Sequence, residues 1–187
     1  MGIGDPLALQ PAVFLDRDGV INAAVVREGR PYPPSGLAEL RILDGAAKAI
    51  ADLRRAGYAC VVVSNQPDLA RGITSPASVD AINEAIAAQT GLEHFYICPH
   101  SGHEGCDCRK PRPGLLLQAA RDLHLDLCAS FMVGDRWRDV EAGKNAGVRS
   151  IFVDYGYREQ QPVGYDWKVG SLAEAATIIL TLTDSRQ

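Results

Sequence analysis

Short, mostly apolar runs rich in β-branched and aromatic residues recur along the chain at Ala12–Leu15, Cys60–Val63, His94–Ile97, Phe131–Val133 and Ser150–Val153. Runs this short and continuous suit strands buried on both faces of a parallel sheet. Between them the pattern changes to a helical period. Gly45–Ala56 places Ala46, Ala49, Ile50 and Leu53 on one face and ends before Gly57, a residue suited to a left-handed cap. Ser75 as N-cap and Pro76 at the first helical position open a second helix, which carries Val79, Ile82 and Ile86 on one face toward Gly91. Further helices are predicted from Pro113 through Leu123, over Trp137–Ala146 up to Gly147, and over Leu172–Leu182. Strands alternating with helices predict βαβ units, and hence an α/β fold with a three-layer, Rossmann-like, doubly wound and mainly parallel sheet. The longest segments with neither pattern are Ala23–Asp44, Cys98–Pro113 and Asp154–Ser171.

The polar residues that follow these strands add chemistry to the scaffold, because functional groups collect at strand carboxyl ends in open α/β sheets. Asp16-Arg17-Asp18-Gly19-Val20 follows the first run, and residues i and i+2 of an extended segment face the same side. Asp16 and Asp18 can then divide labour, one as ionised nucleophile and metal ligand and the other as proton carrier. Taken alone, the pentad also fits a solvated Asp-rich turn. Ser64-Asn65-Gln66 follows the second run and offers a hydroxyl and backbone amides to a phosphoryl oxygen. In Arg109-Lys110-Pro111, Lys110 can act as a point charge on a phosphate and Arg109 as a forked donor, although a surface basic pair is the commoner origin of such a dipeptide. Gly134-Asp135-Arg136-Trp137-Arg138-Asp139 supplies carboxylates that with Asp16 suit Mg2+, which takes oxygen ligands and keeps several waters.

Composition narrows the class. The chain has 187 residues, enough for one well-buried core, and residues 1–187 are read as a single domain. A net charge of −4 with no basic run or aromatic-basic stripe gives no support for a nucleic-acid partner. No apolar stretch approaches the roughly 20 residues needed to cross a bilayer, and Met1–Gln10 lacks the pattern of a secretory leader. A cytoplasmic protein without a membrane partner is expected.

The five cysteines, Cys60, Cys98, Cys106, Cys108 and Cys128, are an odd count that argues against a disulfide framework. Three of them fall in the loop 98–110. There Cys-x-His followed by Cys-x-Cys offers three thiolates and an imidazole, a donor set for closed tetrahedral Zn2+ and a poor one for Mg2+. His100 and His103 both compete for the imidazole position. Cys60 and Cys128 read as small buried apolar residues, and Trp137 and Trp167 as packing anchors. His94 and His124 are placed in or beside secondary structure. Asp139 fits either support of Asp135 or a solvated carboxylate at a helix start.

In this order, each at a strand end, the motifs Asp16-Arg17-Asp18-Gly19-Val20-Ile21-Asn22, Ser64-Asn65-Gln66, Cys108-Arg109-Lys110-Pro111 and Gly134-Asp135 resemble those of the haloacid dehalogenase (HAD) superfamily of aspartate-nucleophile phosphohydrolases. The resemblance spans about Val13 to Val153 and points to the branch of D-glycero-D-manno-heptose 1,7-bisphosphate and histidinol-phosphate phosphatases. It implies a HAD-like fold, with Asp16 as nucleophile, Asp18 as acid and base, and Ser64 and Lys110 steadying the phosphoryl group. It also implies Mg2+ held by Asp16, the backbone carbonyl of Asp18 and Asp135, and structural Zn2+ held by Cys98, His100, Cys106 and Cys108. Asn22, Asn65, Gln66, Arg109 and Arg136 are the expected substrate contacts. The Ala23–Asp44 insertion is too short for a large cap domain, which suits a small phosphorylated sugar, and the protein is expected to be a monomer. A histidinol-phosphate phosphatase and a non-catalytic phosphosugar-binding protein are the competing readings.

Overall fold

In the computed structural model, residues 9–184 are described, so most of the leader reading of Met1–Gln10 lies outside the described residues. The main sheet holds β1 (Gln10–Leu15), β4 (Ala59–Asn65), β5 (His94–Cys98), β6 (Leu125–Gly134), β7 (Arg149–Val153) and β8 (Trp167–Val169). Its order is β5-β4-β1-β6-β7-β8 with every pairing parallel. Two short strands, β2 (Val25–Arg27) and β3 (Arg30–Tyr32), form a separate antiparallel hairpin. The helices are α1 (Ala46–Arg55), α2 (Pro76–Thr90), α3 (Gly114–Asp122), α4 (Trp137–Ala146) and α5 (Leu172–Asp184).

Alternation along β1 explains the three layers. Val13 and Leu15 enter a core with Ile50 and Leu53 of α1, Ile86 of α2 and Ile179 of α5. Ala12 and Phe14 point to the opposite face, against Leu116 of α3 and Ala142 of α4. A strand whose two faces are both covered must be apolar throughout, which is why the predicted runs are continuous. β1 is central, and the strand order turns in opposite directions on either side of it. Its carboxyl end therefore opens on the crevice where ligands bind in doubly wound sheets.

Four local expectations change. Gly45 is the left-handed N-cap of α1 (φ 78°) rather than its first helical residue. β6 extends well before Phe131, and its register against β1 shifts between Pro11 and Val13. At that irregularity the Ser130 hydroxyl accepts from Ala12 N (2.8 Å) and donates to Asp126 O (2.5 Å), so polar residues interrupt the apolar signal of a real strand. Cys128 lies in the same stretch and is exposed, not buried. Segments without a periodic pattern also hold β8 and the hairpin, whose two-residue turn has Glu28 and Gly29 at φ 50° and 77°. Among the described residues no helix is long and apolar enough to cross a membrane.

Close packing of α4 on the sheet makes Gly143 a test of the core. A Cβ at Gly143 would lie 2.3 Å from Ser150 Oγ and 2.9 Å from Met132 Cβ. Gly143→Ala gains up to about 1 kcal/mol of helix propensity, but pushing against a central strand costs about 1–3 kcal/mol. The variant is expected to be less stable, with a lower urea midpoint and unchanged m-value. A higher midpoint would show that the strands yield to the added methyl.

Candidate active site and metal centres

The site begins where β1 ends. Asp16 continues the strand, its N–H donating to Val133 O of β6 at 2.9 Å. Lys110 arrives from the loop after β5 and is almost wholly buried. Its ammonium donates to Asp16 Oδ1 (2.8 Å) and Val63 O (2.7 Å) and pairs with Asp139 Oδ1 (2.6 Å). Burial opposes the charge on Lys110, but Asp139 and Asp16 outweigh it and hold the pKa above the ordinary lysine value. Burial pushes Asp16 up to about 6, Lys110 opposes this, and the nearby Asp139 and Asp18 carboxylates add to it.

Asp135 completes an acidic floor. Ligand atoms of Asp16, Asp135 and Asp139 all lie within 4.8 Å of one another. Burial, then repulsion by Asp16 and Asp139, raises the pKa of Asp135 well above the carboxylate range. Among the described residues neither of its buried carboxylate oxygens has a hydrogen bond of good geometry, although the Tyr157 phenol lies close enough to act on it. An uncompensated buried carboxylate is costly, and three such groups around one ammonium leave an excess of negative charge. The all-oxygen donor set fits Mg2+. Gly19 (φ 96°) makes room for it: a Cβ there would fall 1.9 Å from Asp135 Oδ2.

Asp18 occupies a different environment. Its carboxylate accepts from Asn22 Nδ2 (3.0 Å), Gln66 Nε2 (2.8 Å) and the Nε and Nη2 of Arg17 (3.1–3.3 Å). Gln66 also donates to Ser64 Oγ at 2.9 Å, linking Asp18 to the hydroxyl at the end of β4. Arg17 is fully buried, and its Nη1 donates to Asn83 Oδ1 of α2 at 2.9 Å. Asn65 and Lys110 hold each other through Asn65 Nδ2 to Lys110 O (3.0 Å) and Lys110 N to Asn65 Oδ1 (3.1 Å).

A cleft of about 270 Å³ opens over these groups, lined among others by Asp16, Asp18, Ser64, Asn65, Arg109 and Arg136. Asn22 and Gln66 instead lie beneath Asp18, where they act on its carboxylate. Arg109 Nη1 is tied to His100 O at 2.9 Å. The Arg136 fork is engaged by Glu159, through Nε at 2.8 Å and through Nη2. Hairpin residues Arg30–Pro33 form part of the cleft wall. The hairpin is fastened to the loop after β7, since Arg158 N donates to Gly29 O at 2.8 Å.

The zinc-type loop gathers Cys98, His100, Cys106 and Cys108. Cys98 Sγ lies 3.8 Å from Cys106 Sγ and 3.1 Å from Cys108 Sγ, and His100 Nδ1 lies 3.5 and 3.2 Å from Cys98 and Cys108. Tetrahedral ligands about 2.3 Å from Zn2+ stand roughly 3.7 Å apart, so the spacing and donor chemistry fit that ion. His103 is exposed and outside this cluster.

Sequence reasoning missed Arg17, Asn83, Tyr157 and Glu159. Arg17 carried a signal, because an arginine directly after a buried strand needs an anion. Burial and the charge of Asp135 raise the pKa of the Tyr157 phenol, which places that ring against the acidic floor. Nothing in the sequence near Glu159 marks it as a partner of Arg136.

Residues 107–180 match the HAD-hydrolase-like family model. The D-glycero-beta-D-manno-heptose-1,7-bisphosphate 7-phosphatase of Salmonella typhi is 36% identical, the match covering 90% of this chain and 95% of that protein. The chain belongs to the heptose-1,7-bisphosphate 7-phosphatase family of HAD-like hydrolases. Another family member, from Photorhabdus laumondii, is 39% identical over 74% of this chain and 77% of its own length. The D,D-heptose 1,7-bisphosphate phosphatase from B. bronchiseptica, solved with magnesium and phosphate, superposes with a TM-score of 0.78 at 33% identity, over 92% of this chain and 99% of that one. The HAD-like fold and the family expected from the four motifs are thus those observed.

Two predictions follow from the metal geometry of this family member. A divalent ion at the acidic floor must displace protons held by Asp16 and Asp135, whose folded pKa values are raised, Asp16 to about 6. Mg2+ affinity is therefore expected to rise with pH as both carboxylates ionise and to weaken as pH falls through about 6, where Asp16 takes up its proton. Calorimetric titration at pH 8 and pH 5.5 checks this, and equal affinity at both would contradict it. Cys106→Ser is expected to lower zinc content and melting temperature together, because metal binding energy is folding energy. Elemental analysis with thermal melts would read it, and a zinc-free variant melting like the parent would remove the structural role.

Proposed function

We propose that the protein is a Mg2+-dependent phosphatase that removes the 7-phosphate of D-glycero-D-manno-heptose 1,7-bisphosphate, acting as a cytoplasmic monomer of one domain. The observation that carries this reading is the buried Asp16 beside Lys110, with Asp135 and Asp139 around it and Asp18 in a separate hydrogen-bonded setting. The names of the family members support the heptose substrate over histidinol phosphate, and the magnesium and phosphate in the B. bronchiseptica enzyme support Mg2+-dependent phosphatase chemistry. The joint presence of a nucleophile and a separate acid opposes a binding-only role, which needs neither.

In this reading Asp16 attacks phosphorus, and an aspartyl phosphate forms as the bond to the sugar oxygen breaks. Asp18 delivers a proton to that oxygen and then takes one from the water that cleaves the acyl phosphate. Lys110 and Ser64 hold equatorial phosphoryl oxygens, and Asn65 keeps the Lys110 backbone in place. Asp16, Asp135 and the Asp18 carbonyl would hold Mg2+, which when bound neutralises charge on the phosphoryl oxygens. Phosphoryl transfer is mostly positioning and charge neutralisation, so a site built from fixed charges suffices. Cys98, His100, Cys106 and Cys108 would hold Zn2+ with all four positions taken by protein, and the closed site would brace the loop that carries Arg109 and Lys110.

Phosphate release from heptose 1,7-bisphosphate tests the reading. Asp16→Asn is expected to lower kcat by about 10⁴-fold or more while zinc content and circular dichroism stay those of the parent. Undiminished turnover would take the nucleophile role from Asp16. A preference of about 100-fold in kcat/KM, some 2.7 kcal/mol, for the heptose over histidinol phosphate is expected, and the reverse preference would move the enzyme to the other substrate.

A further inference from the structure

Asp18 lines the cleft, but the groups that aim it lie behind it. Its partner Arg17 is fully buried and reaches both carboxylate oxygens, through Nε (3.2 and 3.3 Å) and Nη2 (3.1 Å). The Arg17 backbone is pinned, because its carbonyl accepts from Ile21 N (2.9 Å) and Asn22 N (3.2 Å). The side chain has more room. Beside it lies a cavity of about 90 Å³ whose walls include Gln66, Asp68, Thr74, Val79 and Ile82. A buried guanidinium requires an anion, and this cavity offers Arg17 both space and a second carboxylate, Asp68, as an alternative to Asp18.

The remaining nitrogen decides between them. Arg17 Nη1 donates to Asn83 Oδ1 at 2.9 Å. Asn83 sits on α2 between Ile82 and Ile86, both buried in the core, so its amide is carried by a helix that cannot shift without unpacking. Asparagine is a poor helix former. Its place inside α2 is accounted for by the buried guanidinium that it meets. We propose that Asn83 is a positioning residue for proton delivery: it holds Arg17 out of the cavity, and Arg17 in turn keeps the Asp18 carboxyl at the cleft. Asn83 itself stands outside the cleft wall. The inference rests on the phosphatase reading above and adds to it a residue that acts on the reaction only through Arg17.

Leaving-group dependence separates the aiming of an acid from general damage. When the P–O bond breaks, its electron pair stays on the leaving oxygen. A sugar alkoxide takes up the Asp18 proton at that point and becomes the product hydroxyl, whereas p-nitrophenolate carries the pair without a proton. The full-length protein with Mg2+ is therefore assayed for kcat/KM on heptose 1,7-bisphosphate and on p-nitrophenyl phosphate. Asn83→Ala is expected to lose about tenfold or more on the sugar phosphate, part of the roughly 10²–10⁴-fold that a positioned acid supplies, and to stay within about twofold of the parent on the aryl phosphate. Asn83→Asp keeps an acceptor for Arg17 Nη1 and is expected to recover most of the sugar-phosphate rate. Asn83→Ser, whose hydroxyl is too short to reach the guanidinium, is read like the alanine variant should that one fail to fold. Equal losses on the two esters, or full activity on the sugar phosphate without the amide, would overturn the inference. A parent that turns over neither ester removes the phosphatase reading and the inference with it. A parent that turns over histidinol phosphate in place of the heptose removes the heptose reading alone, and selective loss on that alkyl phosphate would still uphold the role of Asn83.

Discussion

The Lys110 ammonium is the point on which the site is assembled. It brings together Asp16 at the end of β1, the Val63 carbonyl of β4, Asp139 of α4 and the loop that follows β5. Taking a cation out of water costs several kcal/mol, and only excellent geometry with further hydrogen bonds offsets it. Here two carboxylates and a carbonyl at 2.6–2.8 Å supply that geometry. Loss of any partner would leave a buried charge uncompensated, so the four segments have little freedom to sit elsewhere. Cys108, two positions before Lys110, belongs to the cysteine cluster, and Cys98 of that cluster ends β5. The cluster therefore stands at both the start and the end of the loop that delivers Lys110.

The physical basis of each strand decided how much of it could be read in advance. β1, β4 and β7 are buried on both faces and announced themselves as apolar runs. β6 did not, because the bulge through Asp126 and Ser130 needs polar side chains to satisfy backbone groups that the ladder leaves over. The same irregularity turns Cys128 outward, against its intrinsic preference for burial. Motifs at strand ends were legible since topology alone brings those ends together. Partnerships between distant segments were not. Asp139 stood undecided between a supporting carboxylate and a solvated one until tertiary packing placed it against Lys110, and Arg136 gave no hint of Glu159, 23 residues away.

Two carboxylates separated by one residue have become chemically distinct. Asp16 shares a buried, crowded floor with two other acids and a lysine, whereas Asp18 is enclosed by donors from Arg17, Asn22 and Gln66. Divergent environments of this kind let one fold assign different tasks to the same side chain. Arg17 produces the divergence. Being fully buried, it requires a counter-charge, and Asp18 is the carboxylate with which it pairs.

The hairpin that walls the cleft has three-residue strands and is tied at Gly29 to the loop after β7. A structure so small and so fastened is a parapet and not a door. The cleft behind this wall reaches Asp16, so in the proposed reaction water can arrive through it without an opening movement. Discrimination between substrates then falls to the side chains fixed around the rim, where a change of one residue alters which molecules are admitted without touching the chemistry below.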